Sequence, residues 1–299
     1  MTAAVIIPAT RTTKLLLAPR TGVIEPAVAA RVLASLDQLS GGRILYNVIT
    51  GGKIQTAFSG ELEHDDRYER TEEFMQILEG LWTRERFSFE GKHYRIKDAM
   101  VSPRPVQKPR IPFFLAGSSE NAREIAVRRA EYSVFWSESP AQVAERVRDM
   151  EARLEGTGRR LKYVTRFQIV ARETEGEAYE SAQELLSRAD PGVLAQRGID
   201  PEAARGRSDL SPIERTRAEM TGPALWGGGL GRIRSGSTVA IVGSYEQCAD
   251  KIIEIERAGI HLLILSGFPL HSECGRIGRH VIPLVREKES ALGLAGEGG

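Results

Sequence analysis

The sequence predicts an α/β protein whose strands run parallel and are joined by crossover helices. Three observations carry that reading. Short apolar runs alternate with helical periodicity almost throughout the chain. The run Ile111–Ala116 ends in Gly117-Ser118-Ser119 and passes straight into a helical pattern from Glu120 to Arg129, as a buried strand opening onto a helix does. No G-x-G-x-x-G follows the first strand, so a dinucleotide-binding Rossmann start is unsupported.

Taken in order, Lys14 to Pro19 is a strand candidate. Pro26 to Leu39 is an amphipathic helix, with Pro at an early helical position and Gly41-Gly42 to end it. Arg43 to Ile49 is a strand closed by Thr50-Gly51-Gly52, and Arg67 to Thr83 is a helix with Phe74, Ile77, Leu78 and Leu81 on one face. Phe87 to Tyr94 reads as a small hairpin turning at Glu90-Gly91. Ser102 to Pro112 is proline-rich and irregular. After the central strand and its helix come a strand at Tyr132–Trp136, a helix at Pro140–Glu155, a strand at Tyr163–Ala171 and a helix at Glu175–Arg188. Residues 190–237 are polar, with Gly-rich sequence at Trp226–Gly231, and are long enough to form a mobile lid. Val239–Val242, a helix at Tyr245–Ala258, a strand at Leu262–Leu265 and a final helix near Arg276–Leu292 complete the chain, with a flexible tail at 293–299. Six main strands stand out, near residues 14, 43, 111, 132, 163 and 262. A closed (β/α)8 barrel needs eight, so this is an open sheet or a barrel short of strands.

Composition narrows the function classes. A formal net charge of +1 over 299 residues gives no basis for a nucleic-acid partner. No apolar run reaches the length of a membrane span, and Met1–Ala9 is not a signal peptide. The two cysteines form neither a metal-ligand spacing nor a disulfide framework, so no metal is expected and a reducing cytoplasm fits.

Several residues could carry chemistry. Gly117, Ser118 and Ser119 place backbone N–H groups and two hydroxyls at a helix N-terminus, a seat for a phosphate; the plain alternative is that one serine only caps the helix. Arg166 and Gln168 lie two apart on a strand and share a face. An Arg at an inward-facing strand position either meets an anion or is a buried Arg bonded to a core carboxylate or carbonyls. Asn47 and Thr50 stand at a strand's carboxyl end, where barrel enzymes hold ligands, although Asn is also a common turn former. Trp136 ends a strand and is either an active-site residue or one that packs in the core or at its rim.

The runs Ala29-Ala30-Arg31, Leu36-Asp37-Gln38-Leu39-Ser40-Gly41-Gly42-Arg43, Asn47-Val48-Ile49-Thr50-Gly51, His64-Asp65-Asp66-Arg67-Tyr68-Glu69, Ala116–Ser119 and Leu265–Pro269, in this order, resemble the bacterial-luciferase-like flavin monooxygenases. The resemblance spans essentially the whole chain and is nearest the branch of alkanesulfonate and dimethyl sulfone monooxygenases. It implies a single (β/α)8 TIM-barrel-type domain over 1–292, with the lid inserted before the last strand. About two βα units that precede Thr2–Leu17 in the family are expected to be missing. It implies FMN, as FMNH2, delivered by a separate NAD(P)H-dependent FMN reductase. Molecular oxygen is the co-substrate, a C4a-peroxyflavin the oxidant, and sulfite plus an aldehyde the products from an organosulfur substrate. A homo-oligomer is implied as well.

The resemblance further places Arg166 near flavin and substrate, Arg234 (with Arg232 as a weaker alternative) in the lid, Trp136 in the active site, and His64 and Tyr68 around the FMN phosphate and ribityl chain. Gln168, Phe268 and Leu270 stand where the sulfonate enzymes have His, Tyr and His, so three polar or titratable groups are lost. That favours a less polar or different organosulfur substrate. Two further readings stay open: a truncated barrel impaired in catalysis, and a flavin or deazaflavin oxidoreductase with another substrate.

Overall fold

The computed structural model describes residues 2–51, 62–196, 210–228 and 239–294. These form two compact units, residues 1–134 with 153–161 and residues 135–152 with 162–299.

The first unit runs α1 (Thr2–Ala9), β1 (Leu15–Leu17), α2 (Pro26–Ser40), β2 (Ile44–Val48), α3 (His64–Thr83), β3 (Phe87–Glu90), β4 (Arg95–Ala99), β5 (Phe113–Ala116), α4 (Glu120–Arg129) and the first residues of β6 (Tyr132–Phe135). β1, β2, β5 and β6 pair in parallel in that order, with Leu15 opposite Ile44, Tyr46 opposite Phe113 and Phe114 opposite Tyr132. Along β2, Ile44, Tyr46 and Val48 are buried, while Leu45 and Asn47 on the other face are half-buried. This alternation follows from the two-residue period of a strand. α2 and α3 pack together, and Trp82 Nε1 donates to the Ala30 carbonyl at 2.9 Å.

α2 has Pro at its first helical position and ends on Gly41 in a left-handed conformation, φ 67°. The residues after it form a brace. The fully buried Asp37 carboxylate accepts from Gln107 N at 3.1 Å and Gln107 Nε2 at 2.7 Å. The Arg43 guanidinium donates to the carbonyls of Ser40, Thr13, Ile7 and Thr10 and to Thr10 Oγ1. These five acceptors match the donor capacity of the fork.

Two boundaries in this unit differ from the sequence reading. α3 starts at His64, three residues before Arg67, because Asp65 and Asp66 in its first turn suit the positive end of the helix dipole. The hairpin's second arm is Arg95–Ala99 and not a run ending at Tyr94. The N–H groups of Lys92, His93 and Tyr94 go instead to the Glu73 carboxylate on α3, at 2.7, 2.9 and 3.0 Å.

The second unit comprises α5 (Pro140–Leu154, all but its last turn), β7 (Lys162–Arg172), α6 (Glu175–Ser187), α7 (Pro191–Gln196), α8 (Pro212–Ala218), β8 (Met220–Gly222), β9 (Leu225–Trp226), β10 (Ala240–Ser244), α9 (Tyr245–Arg257), β11 (Leu262–Ser266), α10 (Leu270–Arg276) and α11 (Ile282–Leu292). β7 pairs in parallel with β11 over Val164–Gln168 and with β10 over Gln168–Arg172. Gln168 is opposite both Ser266 and Ala240, so β10 and β11 lie on opposite edges of β7. β10 is a parallel strand beyond the six counted from sequence.

β9 pairs antiparallel with β10, and β8 with β9. Trp226 is fully buried among Val170, Tyr179, Ala182 and Val242, so the later described part of the 190–237 stretch is built into the sheet. Residues 197–209 and 229–238 of that stretch lie outside the described residues. The last helical region begins at Leu270, earlier than Arg276, and passes through a wide π turn, Ile277–Val281, before α11. Pro283 has no N–H to give the preceding turn, and the wide turn leaves room for its ring.

The brace predicts that Asp37→Ala lowers stability by about 1–3 kcal/mol, because it strands the Gln107 donors in a buried place. A denaturant midpoint equal to that of the unmodified chain would contradict it.

Candidate active site

In the first unit the predicted phosphate residues come together at the carboxyl end of β5. Gly117 follows the strand with φ 150°, and Ser119 is the N-cap of α4, its Oγ accepting from Ala122 N at 3.3 Å. The capping reading therefore holds for Ser119, while Ser118 is exposed. The first-turn N–H groups of α4 have no partner in the helix ladder.

Tyr68 reaches this turn from α3. A Cβ built on Gly117 would lie 2.8 Å from Tyr68 Oη and 2.6 Å from Ala122 Cβ, so only glycine lets the three groups approach. His64 lies beside Tyr68, with ring centroids 5.0 Å apart. His64 Nδ1 is 2.9 Å from Asp65 Oδ1, and Asp65 Oδ1 also accepts from Asn121 Nδ2 at 2.8 Å. Two helix N-termini, those of α3 and α4, are thus tied side by side. Glu120, the acidic residue at the start of α4, is paired with Arg123 at 2.8 Å and Arg153 at 2.5 Å, which offsets its repulsion of an anion.

Asn47 and Thr50 stand at the carboxyl end of β2. Asn47 Oδ1 and Thr50 Oγ1 are buried without a hydrogen-bond partner among the described residues. An unsatisfied buried polar atom costs about 1–3 kcal/mol, so both point to a ligand's polar groups.

In the second unit, Arg166 and Gln168 share a face of β7 as expected. Arg166 is half-buried, and its Nη2 donates to Ser266 Oγ, the last residue of β11, at 3.4 Å. Gln168 is 1% exposed, and neither its Oε1 nor its Nε2 has a partner among the described residues. Trp136 is 44% exposed, which removes packing in the core and leaves a rim or site position; its carbonyl accepts from Thr165 Oγ1 at 3.1 Å. Arg234, like Arg232, lies outside the described residues.

Sequence reasoning missed two residues beside this cluster. Ser266 is the partner of Arg166, and its signal was an apolar strand ending in Ser-Gly, as at 115–119. Glu273 is 3% exposed and accepts from Arg172 Nη1 at 3.0 Å and Arg276 Nε at 3.3 Å. Its Cβ would sit 2.5 Å from a Cβ on Gly267, which explains glycine after Ser266. Arg172 and Arg276 line a cavity of about 730 Å³ with Tyr245 and Gln183. Glu177, Glu180 and Glu184 also line it, so it opposes an anion. None of the residues singled out from sequence is in its lining.

Polar groups at the carboxyl ends of parallel strands, as at Asn47, Thr50 and Gly117–Ser119, stand where barrel-type α/β proteins hold ligands. Residues 1–262 match the Luciferase-like monooxygenase family, and the chain belongs to it. It is 25% identical to riboflavin lyase, whose crystal structure holds modified FMN and riboflavin as substrate, with a TM-score of 0.77 over 96% of this chain and 73% of that one. Long-chain alkane monooxygenase is 20% identical, with a TM-score of 0.74 over 95% of this chain and 71% of that one. EDTA monooxygenase from Chelativorans sp. BNC1 is 20% identical, with a TM-score of 0.71 over 96% and 77%. The fold is thus the luciferase-like α/β fold of TIM-barrel type, and proteins that share it act on unlike substrates.

The crowding at Gly117 predicts that Gly117→Ala destabilises the chain by about 1–3 kcal/mol. Tyr68→Phe in the same chain should recover part of this, since the hydroxyl is one of the two obstructing groups. Strictly additive losses in denaturant titrations would contradict the contact.

Proposed function

We propose that this chain is a two-component, reduced-FMN-dependent monooxygenase of an anionic organosulfur compound, alkanesulfonate-like, served by a separate NAD(P)H-dependent FMN reductase. The observation that carries this reading is the pair Arg166 and Gln168. A half-buried guanidinium and a buried amide with no partner at either end among the described residues lie on one face of a strand. That is a donor-rich seat for a multi-oxygen anion such as a sulfonate.

FMN fits the residues of the first unit. The glycine cradle at Gly117, the unsatisfied Asn47 Oδ1 and Thr50 Oγ1, and the N-terminus of α4 together supply a phosphate seat and hydrogen-bond donors and acceptors for a polyhydroxyl chain. Ser118, the backbone at Ser119, and Tyr68 would hold the phosphate; His64 flanks Tyr68. When bound, reduced FMN supplies the two electrons for splitting dioxygen. One oxygen enters the substrate carbon, the other leaves as water, and the carbon–sulfur bond breaks to give an aldehyde and sulfite.

The protein's own part is binding and orientation. Arg166, steadied by Ser266, neutralises the sulfonate and fixes its direction. Gln168 donates from Nε2 and accepts at Oε1 but does not titrate, so it orients without transferring a proton. Arg234 is proposed to close over the substrate and exclude water.

Two measurements test this. Anaerobic titration should show saturable one-to-one binding of reduced FMN, weakened in the Ser118→Ala, Ser119→Ala double variant. Sulfite release from alkanesulfonates should then show Arg166→Ala raising KM about tenfold or more, with reduced-FMN affinity unchanged. Absence of flavin binding by folded chain, with deazaflavin binding in its place, would overturn the cofactor. Turnover without any effect of Arg166→Ala would overturn the substrate seat.

A further inference from the structure

Away from that site, α3 and the β3–β4 hairpin bring three ligand-type side chains together. Asp66 and Glu69 lie one turn apart on α3, and His93 is in the hairpin turn. One ligand atom from each lies within 4.8 Å of the other two. The His93 side chain is only 10% exposed, and its Nε2 is buried without a hydrogen-bond partner among the described residues, 3.7 Å from Glu69 Oε2. A buried imidazole nitrogen aimed at two carboxylates, and not bonded to either, leaves an electron pair for a cation.

A cation already visits this place. Lys92 Nζ lies 2.5 Å from Asp66 Oδ1 and 2.8 Å from Glu69 Oε2. Its side chain is 60% exposed, so it can swing into water. The hydrogen bond from Lys92 holds the Asp66 carboxyl below the usual carboxylate range. With the ammonium displaced, two carboxylates and the imidazole Nε2 remain.

We propose that Asp66, Glu69 and His93 form a divalent transition-metal site of the zinc class, with Lys92 as a built-in competitor for it. A mixed nitrogen and oxygen set suits zinc-like ions better than Ca²⁺ or Mg²⁺, which prefer oxygen alone. A bound ion would join the hairpin to the second turn of the helix that carries Tyr68. It therefore acts as a clamp on the phosphate seat and not as a participant in the chemistry.

The chain's backbone geometry favours such a clamp. Glu73, one turn further along α3, already fixes the Lys92, His93 and Tyr94 N–H groups, so His93 is held in place before any ion arrives. A preformed ligand costs less ordering on binding.

The test is a titration of Zn²⁺ into the metal-free full chain, in competition with a chromogenic chelator, alongside Mg²⁺ alone. One saturable zinc site is expected, weakened about tenfold or more in His93→Ala. Lys92→Met should bind more tightly than the unmodified chain, and His280→Ala should bind equally. The Lys92 variant keeps the test decisive even if His93→Ala folds poorly, because a gain of affinity cannot come from misfolding. No saturable site, or equal affinity in the unmodified chain, His93→Ala and Lys92→Met, would overturn the proposal.

Discussion

The second unit turns on a buried amide that the described residues leave unsatisfied. Gln168 lies opposite Ser266 of β11 on one edge of β7 and opposite Ala240 of β10 on the other, so its backbone sits inside the sheet. Its side chain is as buried as a core leucine, yet neither end has a partner among the described residues. Net hydrogen-bond energies are modest, but stranding a buried polar group costs its whole desolvation. An apolar residue of the same shape would serve the fold better. Under the proposed function this amide meets a ligand, and Arg166, bonded to Ser266, matches that ligand's charge.

In the first unit the same logic separates support from site. The Leu36–Arg43 run that carries much of the family resemblance is structural. Asp37 is consumed by Gln107, and Arg43 spends its whole fork on carbonyls and a hydroxyl. Among the described residues of β2 and the turn after it, the unsatisfied side-chain atoms are Asn47 Oδ1 and Thr50 Oγ1. The Leu36–Arg43 run is thus largely a brace, and the proposed flavin seat lies beyond it.

Much of this was legible in the sequence. Pro26 and Gly41 bounded α2 because proline and left-handed glycine are the usual signals at helix ends. The strand–Gly-Ser–helix run at 113–120 was equally clear, as was the shared face of Arg166 and Gln168. Long-range partners were less legible. The hairpin arm was displaced because the Glu73 carboxylate captures three N–H groups from 19–21 residues away along the chain, which no local pattern announces. The 190–237 stretch looked loop-like because its glycines hide Trp226, which anchors a core made with α6. Capping boxes at Thr174–Glu177, Ser211–Glu214 and Ser244–Gln247 were available as local signals for three helix starts. Ser266 and Glu273 became visible as site neighbours only when β11 was set against β7.

The most direct test of the central claim is the unfolding stability, without ligand, of Gln168→Met, which keeps the side chain's length and removes its polar atoms. If Gln168 is held for a ligand, the variant should be more stable, by about 1–3 kcal/mol. A less stable variant would mean that the amide is satisfied within the folded chain, and the account of a substrate seat at Arg166 and Gln168 would fail with it.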